Sequence, residues 1–418
     1  MTSSACDLKV AGDLVTARLA ELATIGADSA GGVTRLAYTP EDVRARDTVA
    51  QWMAAAGLEV WTDAATNLFG RLPGSDPEAG ALLSGSHLDS VVRAGALDGP
   101  AGVVAALAAA QTLREAGHTL RHDLVVVAFS NEEGTRGTPG MVGSKAIAGL
   151  LTPEDLARPG DGAVTLAERI RGAGGDPALI GEAAWPRDRV AAFIEMHIEQ
   201  GPVLEAEGTR IGVVSGITGQ VGVTVTVTGA ANHAGSTPME HRRDAAVAAA
   251  EVVLAVRGLA TEGRVRVATT GILGVAPGVR NVIAGEAVLG VDIRDGDSSR
   301  IVDALRHLER QIAEIAGRTD TVIEMSATPV QPPVDTDPNL VGHIVAAAEA
   351  LGAPWRELPS GAGHDAQIMA VLAPMAMVFV PSRGGVSHSP DEATDPEDLM
   401  LGADVLLRAL VAADADLP

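Results

Sequence analysis

Two runs of this chain, Asp123–Phe129 (DLVVVAF) and Val190–His197 (VAAFIEMH), are apolar at almost every position and show no alternation. A strand that is apolar on both sides has to be covered on both faces, so such runs belong inside a mostly parallel sheet flanked by helices. The neighbouring segments fit that frame. Thr39-Pro40-Glu41-Asp42 opens a helix with a capping hydroxyl, a proline at the first helical position and acids in the first turn, and Gly57 stops it. A strand over Ala81–Ser84 and a helix from Pro100 to about Ala116, ended by Gly117, continue the alternation that predicts an α/β architecture.

Near residue 212 the texture changes. Val221–Thr228 reads VGVTVTVT, a period-2 alternation suited to a strand with one wet face. A helix near Arg243–Leu259, strands near Val265–Gly271 and Ala287–Arg294, a helix over Ser298–Ala316 and a strand over Thr321–Ser326 predict a compact α+β unit. The first texture then resumes in helix Pro338–Leu351, strand Met375–Val380 and a helix from Pro396 to about Ala412. A chain of 418 residues exceeds the size of one growing core, so the expected plan is a domain made of 1–212 and 329–418, interrupted by an inserted domain at 213–328.

The formal charge of −23 argues against nucleic acid or an anionic membrane as the principal partner. An anionic small-molecule substrate would need a local basic clamp against that field. Cys6 is the single cysteine, so neither a disulfide framework nor a thiolate metal site is expected. The start has no charged segment followed by an apolar one, and no stretch approaches about 18 uninterrupted apolar residues. A cytoplasmic protein is the expectation.

Where the strand-like runs give way to Gly-rich loops, in GSHLDS, ALDGPAG, FSNEEGTRG, IEMHIEQG and GGVSHSPDE, stand His87, Asp98, Glu133, His197 and His388. Imidazoles and carboxylates together suit zinc, manganese, cobalt or nickel. One aspartate is able to bridge two ions, and a pair about 3.5–4 Å apart generates hydroxide at neutral pH while polarising a carbonyl. Glu132 and Glu133 are adjacent at a strand end, where side chains diverge, so one is free to bind metal while the other shuttles a proton. Each motif taken alone is usually a loop hydrogen bond, a solvated turn or a core histidine. Five in this order argue for one site.

Taken together, GSHLDS with Asp98-Gly99, SNEEG, IEMHIEQGPVLE, HAGSTPMEHRRDA, SGAGHDA and PSRGGVSH resemble the hydantoinase/carbamoylase subfamily of M20 metallopeptidase-like amidohydrolases. That subfamily includes N-carbamoyl-L-amino acid hydrolases, allantoate amidohydrolases and beta-ureidopropionases, and the likeness runs from about Arg35 to the C-terminal helix. HIEQGPVLE is its most specific part, because related dipeptidases and aminoacylases usually place a carboxylate where this chain has His197.

The resemblance implies a binuclear centre held by His87, Asp98, Glu133, His197 and His388, with Glu132 as general base and Asp89 orienting His87. It implies that the inserted domain is a lid and dimerisation domain whose His233 reaches the partner subunit's site in a homodimer and stabilises the oxyanion. Gln200, Asn281, Arg294, Gly363 and His364 match substrate-binding positions, with Asn281 and Arg294 gripping a carboxylate. The implied activity is cleavage of the carbamoyl C–N bond of an N-carbamoyl-L-amino acid or related ureido acid, with an allantoate amidohydrolase as the alternative. A dipeptidase or aminoacylase, and a non-catalytic binding protein on the same fold, are more distant. Two positions depart from the pattern: Gly137, where many relatives carry an aromatic, and Arg383, where relatives often carry an apolar residue.

Overall fold

The computed structural model describes residues 8–417, so Cys6 lies outside the described residues. The chain forms two compact units, one built from residues up to Ser215 together with those from Thr336 onward, the other from Gly216–Asp335.

The middle of the first unit is a parallel run of four strands in the order Leu124–Phe129, Ala81–His87, Val190–Ile198, Met375–Val380. Antiparallel strands flank it, Leu68–Leu72 beside Leu124–Phe129 and Ile211–Ile217 beside Met375–Val380. Leu124–Phe129, Ala81–His87 and Met375–Val380 are buried at every position, and Val190–Ile198 at all but one, as their unbroken apolar runs require. Against this sheet lies helix Pro100–Glu115, whose first eleven residues are all buried and include six alanines that let it approach closely. The C-terminal helix Pro396–Asp416 packs on it in turn.

Register decides where the chemistry falls. His87 stands opposite Phe129 on the neighbouring strand, and His197 stands opposite Phe379. The loops that follow all four strands therefore leave from one edge, carrying Asp89, then Glu132 and Glu133, then Gln200, then Ser382 to His388. That edge is the carboxyl end of the parallel strands, where open α/β sheets place their ligands.

In the second unit an antiparallel sheet runs in the order Val322–Ala327, Gly219–Thr228, Glu286–Asp295, Val267–Ala276. Val221, Val223, Val225 and Val227 point into its core while Thr224 and Thr228 are exposed, which is the alternation written in VGVTVTVT. Helices Ala245–Thr261 and Ser298–Thr319 contribute the opposing apolar residues, among them Val252, Ile301 and Leu308. The last strand extends to Ala276, beyond the predicted Gly271, and leaves Ile272 and Leu273 65% and 55% exposed on a sheet edge. Among the described residues no helix is long and apolar enough to cross a membrane.

Candidate metal centre

Three imidazoles converge on the two oxygens of one carboxylate. His87 Nε2 and His197 Nε2 lie 3.6 and 3.3 Å from Asp98 Oδ1, and His388 Nε2 lies 3.3 Å from Asp98 Oδ2 and 3.4 Å from Glu133 Oε2. Ligand atoms of His87, Asp98 and His197 thus form one compact group and those of Asp98, Glu133 and His388 a second, with Asp98 common to both.

The far side of each buried ring decides what faces the carboxylate. His87 Nδ1 donates to the Asp89 carbonyl at 3.0 Å, and His197 Nδ1 donates to the Ile198 carbonyl at 2.9 Å. Because a carbonyl only accepts, those nitrogens carry the protons, and in the neutral rings both Nε2 lone pairs point at Asp98. Lone pairs aimed at a carboxylate repel it unless a proton or a cation lies between them. Separations of 3.3–3.6 Å exceed the roughly 2.7–2.9 Å of a charge-assisted hydrogen bond. They match the roughly 3.3–3.6 Å expected between two ligands each about 2.0–2.2 Å from one tetrahedral ion. His197 Nε2 and Glu133 Oε1 are also buried without a hydrogen-bond partner. The donor set fits divalent cations.

Without a cation, protons have to balance the cluster. Burial opposes charge on His87, but Asp98, Glu132, Asp89 and Glu133 together raise its pKa well above the ordinary value. Asp98 pushes His388 up to about 9, while the three histidines hold Asp98 well below the usual carboxylate range against its burial. Burial raises Glu133 to about 7 and lifts Glu132 well above an ordinary glutamate. Glu132 Oε2 lies 3.8 Å from His87 Nε2, at the edge of the cluster and outside both compact groups.

Asp89 meets His87 through its backbone and uses its side chain elsewhere. Its main-chain carbonyl holds His87, whereas its carboxylate accepts the N–H groups of Glu132 and Glu133 at 3.2 and 3.3 Å and lies 3.8 Å from His87 Nδ1. The side chain therefore braces the glutamate turn. Gly99, between Asp98 and the helix, has φ +82°, and a Cβ there would stand 2.5 Å from the His87 ring, so only glycine permits this approach.

Gln200 also meets the cluster, donating from Nε2 to Asp98 Oδ2 at 2.7 Å. His364, expected among substrate-binding residues, is 2% exposed, packs edge-on to His197 with ring centroids 4.6 Å apart, and bonds Ser360 Oγ at 2.8 Å. Burial, with help from His197, keeps it neutral. It supports a ring of the centre from behind. Gly363, just before it, lies against Met141. Arg383, one of the two departures from the pattern, pairs with Asp395 on the surface.

His233, Asn281 and Arg294 belong to the second unit. His233 Nδ1 accepts the N–H groups of Gly235 and Ser236, both at 3.1 Å, which puts its ring proton on an outward Nε2. The Asn281 carbonyl accepts the Ala234 N–H, tying the two loops together. Arg294 makes a two-pronged pair with Asp292 at 2.7 and 3.2 Å.

Several supporting residues escaped the sequence reading. Arg35 is buried and donates to the Leu88, Leu22 and Ile25 carbonyls, fixing the loop after His87. Arg46 donates to Asp42 and to the carbonyls of Thr66 and Phe129, securing the strand end before Glu132. Neither arginine carries a sequence signal for its partners, and Arg46 stands in the charged run EDVRARD, where a solvated face is the ordinary reading.

Known proteins place this geometry. The profile of Peptidase family M20/M25/M40 matches residues 83–412. The chain is 42% identical to an N-carbamoyl-L-amino acid amidohydrolase of Geobacillus stearothermophilus over 95% of this chain and 97% of that one. It is 38% identical to the allantoate amidohydrolase of Escherichia coli strain K12, over 92% and 94%. The crystal structure of a hydantoinase/carbamoylase family amidase from Burkholderia multivorans superposes with a TM-score of 0.90 at 38% identity, covering 98% of this chain and all of that one. The motifs and these likenesses agree, and the chain belongs to the M20 family, within its hydantoinase/carbamoylase group of amidohydrolases.

Proposed function

We propose that the protein is a two-metal amidohydrolase that cleaves the carbamoyl C–N bond of an N-carbamoyl-L-amino acid or a related ureido acid. One water is consumed, and the amino acid, ammonia and carbon dioxide are released. The observation that carries the reading is the convergence of three imidazole Nε2 atoms on both oxygens of Asp98, each oxygen serving its own group of ligands.

His87, His197 and Asp98 would hold one ion, and Asp98, Glu133 and His388 the other. Zinc suits this donor set best, with manganese, cobalt or nickel as alternatives. When bound, such a pair acidifies a water and polarises a carbonyl. Glu132 then takes the proton of the attacking water and delivers it to the leaving nitrogen, a role suited to a carboxyl whose pKa burial raises well above that of an ordinary glutamate. His233, with its donor on Nε2, stabilises the developing oxyanion from the partner subunit. Asn281 and Arg294 hold the substrate carboxylate, and Gln200 and Gly363 line the site. For Arg294 to supply the basic clamp that a chain of charge −23 needs for an acidic substrate, its fork would exchange Asp292 for the substrate carboxylate.

The inserted unit serves as lid and dimerisation domain. Its exposed edge strand with Ile272 and Leu273 supports a homodimer. The composition supports a cytoplasmic location.

An allantoate amidohydrolase is the second reading, favoured by the 38% identity to that enzyme. Metal-loaded protein offered N-carbamoyl-L-amino acids, N-carbamoyl-beta-alanine, allantoate and dipeptides distinguishes them. Equal amounts of ammonia and amino acid from an N-carbamoyl-L-amino acid are expected. Ammonia from allantoate alone selects the second reading, and amine without ammonia from a dipeptide overturns both.

A further inference from the structure

The loops carrying Asp98 and His388 are joined by a carboxylate outside both ligand groups. Glu392, four residues after His388 in SHSPDE, is 9% exposed. Its Oε1 accepts the main-chain N–H of Leu97 at 2.9 Å and of Asp98 at 3.1 Å. Its Oε2 lies 2.9 Å from Ser387 Oγ, which in turn lies 2.7 Å from Asp98 Oδ2. The Asp98 loop is shaped around it, since a Cβ on Gly95 would stand 2.1 Å from Glu392 Oε1.

These contacts all fall on one half of the centre. They reach the Asp98 main chain, Asp98 Oδ2 and the residue before His388, and none reaches Asp98 Oδ1, His87 or His197. The latter two rings are held by their own Nδ1 bonds. His388 is not: its side chain is 47% exposed, its Nδ1 has no partner among the described residues, and its φ of +54° is one that side chains adopt only where the surroundings impose it. The Glu392 N–H closes the turn past His388 on the Ser389 carbonyl at 3.1 Å.

We propose that Glu392 is a positioning residue for one of the two cations: it joins the loops so that Asp98 Oδ2, His388 and Glu133 converge, and its loss weakens the ion held there while sparing the one held by His87, His197 and Asp98 Oδ1. The inference rests on the two-metal reading. Groups that orient ligands from behind are worth about 10–100-fold in metal affinity.

The test titrates chelator-stripped protein with Mn²⁺, followed by calorimetry and by the electron paramagnetic resonance of the bound ions, which couple when they share a carboxylate. Wild type takes two ions. Glu392→Ala binds one ion unchanged and the other about 10–100-fold more weakly, and its surviving site matches that of His388→Ala. Glu392→Gln keeps an acceptor for the Leu97 and Asp98 amides and recovers most of the loss. Should Glu392→Ala fail to fold, Ser387→Ala carries the test. That variant keeps the amide bonds to Glu392, removes the link to Asp98 Oδ2, and moves the same site by a smaller factor. Unchanged binding in folded variants, equal weakening of both ions, or a surviving site that matches His197→Ala overturns the positioning role. A wild type that takes fewer than two ions overturns the two-metal reading instead.

Discussion

At the residue scale the proposed mechanism separates the candidate ligands from the candidate proton carrier. Glu132 and Glu133 share the brace from Asp89, yet only Glu133 reaches His388, at 3.4 Å. Glu132→Gln is therefore expected to retain wild-type metal content by atomic absorption while losing about 10²–10⁴-fold in turnover. Equal turnover would remove Glu132 from the mechanism. Protonation also sets metal uptake. In the metal-free protein Glu133 loses its proton at about 7 and His388 at about 9, and both have to be deprotonated to bind. Affinity for a divalent ion should thus fall as pH drops through 9 and again through 7, with protons released on binding. A pH-independent affinity between 6 and 9 would contradict this. The ligand residues were legible in the sequence because each sits where an apolar run meets a Gly-rich loop. The acceptors that orient them were not, because the Asp89 and Ile198 carbonyls carry no sequence signal. Asp89 was expected to orient His87, but nothing in the sequence told whether its backbone or its carboxylate would do so; the backbone carbonyl makes the bond.

At the element scale, strands buried on both faces announced themselves. Val190–Ile198 and Met375–Val380 were readable as unbroken apolar runs, and Gly219–Thr228 as strict alternation. The short strands Glu59–Thr62 and Leu68–Leu72 were missed, since the first is largely exposed and the second mixes Gly and Arg with its apolar residues. Neither pattern stands out from a loop. What holds the ends of the central strands is also non-local. Arg46 and Asp42 are both buried, and their pair secures the carbonyl of Phe129 just before the glutamate turn. Arg46→Ala leaves Asp42 buried and unpaired, and should cost about 3–5 kcal/mol in urea unfolding. A loss under about 1 kcal/mol would show that water replaces the guanidinium there.

At the scale of the whole molecule the proposed mechanism draws on both units. The first unit carries every candidate metal ligand and Glu132, while His233, Asn281 and Arg294 lie in the second. The exposed edge strand Val267–Ala276, with Ile272 and Leu273 facing outward, is the surface expected to pair between copies. Ile272→Lys combined with Leu273→Lys should shift the protein to a monomer in light scattering and lower turnover without changing metal content. A monomeric wild type, or a fully active monomeric variant, would contradict the shared site. The central claim is that two ions held through Asp98 make this chain a carbamoyl hydrolase. Its most direct test is to add a divalent metal back to chelator-stripped protein and measure ammonia released from an N-carbamoyl-L-amino acid per ion bound. Activity that becomes complete at two ions per chain and is absent in Asp98→Asn is the predicted result. Full activity with one ion or none would contradict it.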